Sequence, residues 1–289
     1  MNNVVSVIIP VFNRDKIIGK TLKELKKQKY RPLEVILIDD ASKDNTVKEI
    51  ENFIESNLDK QFNILLYLNN TNKGACFSRN YGLKYSNGKY IQFLDSDDFL
   101  DDEKINEQVK FLEKSNTTLA ISDFQYFKNN KIIKNCKNDG NLFMRVALGW
   151  SIFTAAPLIS SSLIKNKLFW NEKLLFLQDK DFLFKVLMLS GHYSYVPSFS
   201  SYYVQHTNDQ ISDQYSIKKP QFLTIILSRS IFLLNNFLKM KLHCVFYTFL
   251  GIINIFISLI LYYIKKCIRI LFGENFFNKI KTYLRRYRK

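Results

Sequence analysis

Four short apolar runs punctuate the first hundred residues, and each ends in polar or charged ones. Residues 4–9 are stopped by Pro10 and followed by Val11-Phe12-Asn13-Arg14. Residues 34–38 run into Asp39-Asp40, residues 63–68 into the polar stretch 69–74, and residues 90–94 into Asp95-Ser96-Asp97-Asp98. Runs of this length, rich in Val, Ile, Phe and Tyr, predict buried strands. Between them the apolar period becomes helical. Ile18, Leu22 and Leu25 share one face over 16–27. Val47, Ile50, Phe53 and Ile54 follow Thr46 and Glu49, which are spaced as a capping box. A third helix over 75–86 is stopped by Asn87-Gly88. The resulting β-α-β-α-β-α-β order, with short connections, predicts an α/β fold built on a parallel sheet with right-handed crossovers. Ligands of such sheets sit beyond the carboxyl ends of the strands. All four polar strand ends are therefore expected on one edge.

The fourth end concentrates the chemistry, with three carboxylates in four residues. Packed at a strand end, they repel one another and lose hydration. A hard divalent cation, Mg²⁺ or Mn²⁺, would relieve this and could keep positions open for phosphate. The plainer alternative is a solvated acidic turn in which Asp97 or Asp98 caps the next helix. Four converging polar ends favour the metal–phosphate reading. No glycine-rich dinucleotide fingerprint or P-loop follows the first strand, which argues against a dinucleotide cofactor and against a nucleoside triphosphatase. Arg79, one turn into the third helix, either helps to hold phosphates or is a surface arginine.

Further along, 119–123 and 157–164 read as additional strands, and 182–189 as a helix ended by Gly191. Trp150 and Trp170 are either sugar-stacking or buried aromatics. From 242 to 264 there is no formally charged residue, a run of about the length that crosses a bilayer core. Lys239, Lys241, Lys265, Lys266 and Arg269 bracket it, and 267–289 alternate apolar with basic residues.

Charge sharpens that picture. The 289-residue chain carries a formal +16, of which +10 falls on 239–289. Such asymmetry points to an anionic partner at the C-terminus. Anionic lipid suits the long apolar runs better than nucleic acid does. An in-plane or re-entrant attachment is the favoured geometry, ahead of one spanning helix or packing on the catalytic domain or a second subunit. The expected organisation is 1–212 for the α/β unit and 213–289 for a helical membrane-associating appendage. Cys76, Cys136, Cys244 and Cys267 have neither metal-ligand nor redox-pair spacing and suit a reducing compartment. The N-terminal run lacks the basic region of a signal peptide.

The motifs resemble those of family 2 glycosyltransferases of GT-A fold, of the kind that build bacterial envelope polysaccharides. The resemblance rests on 5–13, 38–46, Asn72-Lys73-Gly74 with Ser78-Arg79-Asn80, and 93–98, which follow in order over about the first 100 residues. It divides the unit into a nucleotide-sugar half, 1–100, and an acceptor half, 101–212. It implies a Rossmann-like, mostly parallel sheet with flanking helices, and a nucleotide-sugar donor, usually UDP-linked, used with inversion. Pro10, Phe12 and Asn13 would line the nucleoside pocket, Asp40 would recognise the base, and Arg79 would reach the nucleotide. Asp95 and Asp97 would form the D-x-D motif, with Asp97 nearest the metal and Asp98 beside it. Ala41 stands where the family often has glycine.

Inversion needs a base on the face opposite the leaving diphosphate. The segment Leu177-Gln178-Asp179-Lys180-Asp181 resembles the family's acidic acceptor motif, with Gln178 in place of a Glu. Asp179 would be the base and Asp181 its support, although both aspartates could equally cap a helix. His206, in Tyr203-Val204-Gln205-His206, resembles a late segment that closes over diphosphate and metal. His192 and His243 read as structural. The expected acceptor is a glycan or lipid-linked saccharide at the cytoplasmic face of the cell membrane. Two rival readings are a non-catalytic, membrane-anchored GT-A-like binding module and a phosphatase with Asp95 as nucleophile; Phe99 fits the latter badly.

Overall fold

The computed structural model describes residues 3–205 except 58, 130, 151 and 176, then 222–258, and residues 260, 261 and 264. The expected boundary at 212/213, His206, Cys267 and the basic stretch 265–289 lie outside the described residues.

The apolar runs fold as predicted. Strands β1 (Val5–Val11), β2 (Leu33–Asp39), β3 (Phe62–Leu68) and β4 (Tyr90–Phe93) pair in parallel, in the order β3-β2-β1-β4. Helices α1 (Ile18–Lys26), α2 (Thr46–Ser56) and α3 (Ala75–Tyr85) connect them. Every residue of β1 and β2 is buried, as expected of strands covered on both faces. Each large aliphatic side chain buried here contributes about 1.5–3 kcal/mol. Glu34, in the buried β2, accepts bonds from Ser6 Oγ (2.5 Å), Asn87 N (2.9 Å) and Asn87 Nδ2 (2.9 Å), so its polar atoms are partnered. Close packing of α3 on the sheet needs Gly82. A Cβ there would lie 2.5 Å from Ile8 Cγ2 and 2.7 Å from Ile38 Cδ1.

The second half extends the sheet through β5 (Phe99–Leu100), β6 (Leu119–Lys128), β7 (Lys131–Cys136), β8 (Pro157–Ser160) and β9 (Ser194–Val204). The order β3-β2-β1-β4-β8-β6-β9-β5 is antiparallel at β4–β8, β8–β6 and β9–β5 and parallel at β6–β9, and β7 pairs antiparallel with β6. Helices α4 (Lys104–Ser115), α5 (Leu142–Ala147), α6 (Ser161–Ile164) and α7 (Gln178–Ser190) flank it, and α8 (Phe222–Asn236) packs on α7. A last helix runs over 242–258.

Local expectations needed correction where tertiary contacts overrode pattern. The run 157–164 is strand only to Ser160 and then turns into α6. The strand begun at Leu119 continues to Lys128, because β7 and β9 flank it there. The Thr46/Glu49 capping box does not form. Asp44 accepts instead from Thr46 N (3.0 Å) and Thr46 Oγ1 (2.5 Å), because Thr46 Oγ1 is itself taken by Arg14 N (2.6 Å). Helix α7 starts at Gln178, earlier than 182. Asp179 and Asp181 therefore lie inside its first turn, while Leu177, at φ 59°, occupies the cap position without a side-chain bond. Cys76, Cys136 and Cys244 are buried free thiols.

Candidate functional site

Three backbone bonds hold the strand ends together. Asp40 N donates to Val11 O (2.8 Å), Asn69 N to Asp39 O (2.9 Å), and Leu94 N to Ile8 O (3.1 Å). The loops after β1 and β2 are bolted together. Asn13, at φ 51°, donates its N–H to Ser42 Oγ (2.9 Å) and accepts from Lys43 N at Oδ1 (2.9 Å). Pro10 is buried within β1, whereas the Phe12 ring is exposed on the rim. Ala41 has φ 63°, in the left-handed region where a glycine is relaxed. Asp40 holds the β3–α3 loop, accepting from Asn69 Nδ2 (2.9 Å), Lys73 N (2.9 Å) and Gly74 N (2.7 Å). Neighbouring Asp39 accepts from Ser42 N (2.9 Å), and its buried Oδ1 has no partner.

The acidic triplet follows β4, and Thr21 Oγ1 of α1 fastens its turn by donating to Ser96 O (2.8 Å). Each carboxylate has a distinct setting. Asp95 pairs with the Arg79 guanidinium at 2.6 Å, and Asp97 with Arg14 at 3.8 Å. Asp98 is buried. Its Oδ1 accepts from Val204 N (2.9 Å), and its Oδ2 has no partner. Burial, and then the charges of Asp97 and Asp95, push the Asp98 carboxyl well above the usual range. Tyr203 faces the same cluster. Burial, followed by Asp98 and Asp97, raises its phenol to about 12.

Arg79 lies 4.4 Å over the Trp170 ring, which stacks on Phe182 of α7 at 4.2 Å. Trp170 is thus a buried platform under an arginine. Trp150 remains half-exposed, with Arg145 4.3 Å above it. The stack brings the first turn of α7 to the acidic triplet. Asp179 lies in that turn, on the helix that the Trp170–Phe182 stack ties to Arg79. Burial raises its carboxyl first, and Asp95 adds to the rise. The Lys180 backbone N–H, the Lys180 charge and Arg79 pull it back. Gln178 turns away, donating from Nε2 to Leu174 O (2.8 Å).

Asp181 does not join this group. It is 1% exposed and accepts from Lys185 Nζ (2.6 Å) and from Ser228 Oγ of α8 (3.1 Å). The expected support for Asp179 is therefore a buried ion pair that ties α7 to α8, because the helical turn rotates Asp181 to the opposite face. Asp181→Ala strands the Lys185 ammonium and is expected to cost about 3–5 kcal/mol, read as a lowered urea midpoint; a change below 1 kcal/mol would show the pair to be incidental. Similar seams involve the histidines. His192 Nδ1 lies 3.2 Å from Lys241 Nζ, and His243 Nε2 lies 3.1 Å from Gly191 O, in keeping with structural roles.

Among the described residues, no three His, Cys, Asp or Glu side chains converge as a ready metal site. The donor chemistry nevertheless suits a hard cation. Asp95 and Asp97 present carboxylates, and the orphaned Oδ2 of Asp98 records a local excess of negative charge. Arg14, Trp170 and Tyr203 also belong to this site. Sequence reasoning assigned Arg14 and Tyr203 no role of their own, although both lie in segments it singled out, and left Trp170 between sugar-stacking and burial.

The family model "Glycosyl transferase family 2" matches residues 6–157, just over half of the chain. An uncharacterised glycosyltransferase of Haemophilus influenzae is 34% identical over 42% of this chain and 47% of its own. The Escherichia coli protein WfgD, a UDP-Glc:alpha-D-GlcNAc-diphosphoundecaprenol beta-1,3-glucosyltransferase, is 34% identical over 45% of this chain and 49% of its own. These matches span about half the length of each relative. Among solved structures, S. aureus TarS with UDP-GlcNAc superposes with a TM-score of 0.64 at 20% identity, over 80% of this chain and 65% of that one. The mannosyltransferase PcManGT of Pyrobaculum calidifontis, with GDP-Man and Mn²⁺, gives 0.57 at 14% identity over 97% and 84%. The likeness to both shows the GT-A fold, and the chain belongs to glycosyl transferase family 2.

Proposed function

We propose that this protein is an inverting glycosyltransferase that moves a sugar from a nucleotide-linked donor, UDP-linked, to a glycan or lipid-linked acceptor at the cytoplasmic face of the cell membrane. The observation that carries this reading is the stack that joins the start of α7, which bears Asp179, through Phe182 and Trp170 to Arg79 and its partner Asp95. This supports a reading in which the acidic strand end takes the diphosphate and Asp179, carried by α7, takes a proton.

In this reading Pro10, Phe12 and Asn13 wall the nucleoside and Asp40 meets the base. Arg79 and Arg14 stand beside the D-x-D carboxylates, where diphosphate oxygens arrive. Asp97 and Asp95 would hold Mg²⁺ or Mn²⁺, with His206 as a further ligand by resemblance. The cation, when bound, supplies charge neutralisation for the leaving diphosphate. The acceptor oxygen attacks the anomeric carbon from the face opposite the diphosphate. Its proton passes to Asp179, the new C–O bond forms, and the nucleoside diphosphate leaves with the bonding pair. Asp179 is not part of the D-x-D group, which leaves it uncommitted to the leaving group and suited to that proton.

The relative WfgD, by its name, uses a UDP-linked sugar and a diphosphoundecaprenol-linked acceptor. The basic, apolar C-terminal quarter of this chain is consistent with an acceptor delivered from a lipid surface. A panel of UDP- and GDP-sugars, scored by nucleotide release with a membrane-lipid extract as acceptor source, tests the proposal. One UDP-sugar should release UDP faster when the extract is added, and EDTA should suppress it. Donor binding without release for any sugar would favour a non-catalytic binding module.

A further inference from the structure

Helix α8 and the helix over 242–258 each have two apolar faces. The inner faces carry Ile225, Phe232, Cys244 and Thr248, all buried. Their outer faces are exposed. Leu227, Ile231, Leu234 and Leu238 repeat at helical spacing along and just past α8, and Leu238 is 96% exposed. Leu242, Phe246, Phe249, Ile253 and Phe256 repeat likewise along the last helix. No Asp or Glu occurs from 222 to 264. Exposed Lys239 and Lys241 occupy the turn between the helices, and a strongly basic segment follows. A contiguous apolar patch of this kind marks an interaction surface. A second copy would bring two +16 chains together through their basic ends, which repel. An anionic bilayer takes both the apolar stripe and the lysines.

The inner faces meet α7 through a polar seam. Arg229 is 5% exposed, and its guanidinium lies 3.7 Å over the Phe184 ring. Its Nη2 donates, at a long 3.4 Å, to the carbonyl of Lys180, next to Asp179. Gly251 makes room, since a Cβ there would lie 3.0 Å from Arg229 Nη1 and 3.0 Å from Phe184 Cε2. Ser228 bonds Asp181 and Lys185. Arg229 Nε and Asp181 Oδ1 are buried without partners. The Asp181, Lys185 and Ser228 bonds anchor one end of the seam, while the Arg229 end, held by one long bond with Nε unpaired, opens at lower cost.

We infer that the outer face of α8 and the following helix docks on an anionic lipid bilayer, and that docking holds the Arg229 end of this seam closed so that Arg229 steadies the turn of α7 bearing Asp179. Arg229 is thus a positioning residue, and the membrane surface regulates the base. This rests on the bilayer reading of the basic C-terminal region.

Hydrogen exchange on the full chain tests it with 1:1 phosphatidylcholine/phosphatidylglycerol vesicles and with pure phosphatidylcholine vesicles. Anionic vesicles should bind the chain and slow amide exchange over 178–186 several-fold; neutral ones should do neither to the same extent. The combined variant Leu227→Ser, Ile231→Ser, Leu234→Ser, altered only at exposed positions, should lose the slowing even where the basic segment keeps it on the vesicle. Arg229→Gln should bind vesicles like the unaltered chain without slowing exchange on α7, and Arg229→Lys should restore part of it. Binding with unchanged exchange over 178–186, or full slowing in Arg229→Gln or the serine variant, would overturn the coupling alone. Failure to bind anionic vesicles, or dimers formed through this face, would overturn the docking face and the bilayer reading together.

Discussion

Asp179→Asn is expected to lower turnover by about 10²–10⁴-fold while leaving donor binding intact. Asparagine keeps the shape of the side chain and its place on α7 but cannot accept the acceptor's proton. The same residue is expected to set the acid limb of the pH profile. Burial and the Asp95 charge raise the Asp179 carboxyl above the ordinary aspartate range. As pH falls through that raised value, the carboxylate takes up a proton and base function is lost. The rate should therefore begin to fall at a higher pH than an exposed aspartate would dictate. Turnover against pH, with UDP affinity measured alongside by calorimetry, reads both effects. Transfer within tenfold of the unaltered enzyme would remove Asp179 from the mechanism.

Asp97→Asn should act on the other partner of the reaction. The substitution removes a charge from a cluster in which Asp98 is already driven toward its neutral form. It also frees Arg14 from its ion pair. Mn²⁺-dependent strengthening of UDP binding is expected to disappear, and turnover to fall on the order of 10²–10³-fold, the scale of one lost charge-stabilising group. The Asp98 carboxyl should move back toward its usual range as one repelling neighbour is lost. Titration calorimetry of UDP with and without Mn²⁺ separates the loss of metal from the loss of fold. If Mn²⁺ strengthened UDP binding equally in both proteins, Asp97 would not be a metal ligand.

The first four strands were legible because their signals are local. A strand buried on both faces announces itself as an apolar run, and each of the four runs ends within two residues of its strand, although β1 continues through Pro10 to Val11. Asp95, Asp97 and Asp98 could be read as a site because they are sequence neighbours. The second half of the sheet hides its order. β8 inserts between β4 and β6 although it comes later in the chain, and β9 runs parallel to β6 from more than 70 residues away. No local period encodes such pairings. Asp181 shows the limit most sharply, since two residues of helix carry it from the site to the α7–α8 seam. Trp170 was legible as an aromatic, but only the fold shows that it links Arg79 to the helix of Asp179. The cap at α2 was misassigned because a long-range partner, the Arg14 amide, claims the Thr46 hydroxyl.

Asp40 carries a consequence for how substitutions in this site are to be interpreted. Its carboxylate gathers the β3–α3 loop through two backbone amides and the Asn69 side chain, besides standing where a base is expected. Removing it releases the loop that leads into α3 and, one turn later, Arg79. Effects at Asp40 and at Asn69 will therefore not add, because both act on one loop. The collapse of activity in an Asp40→Ala variant would measure mainly a change in the shape of the site. The strength of a contact to the base is better read from donors with altered bases on the unaltered chain, where the loop stays in place.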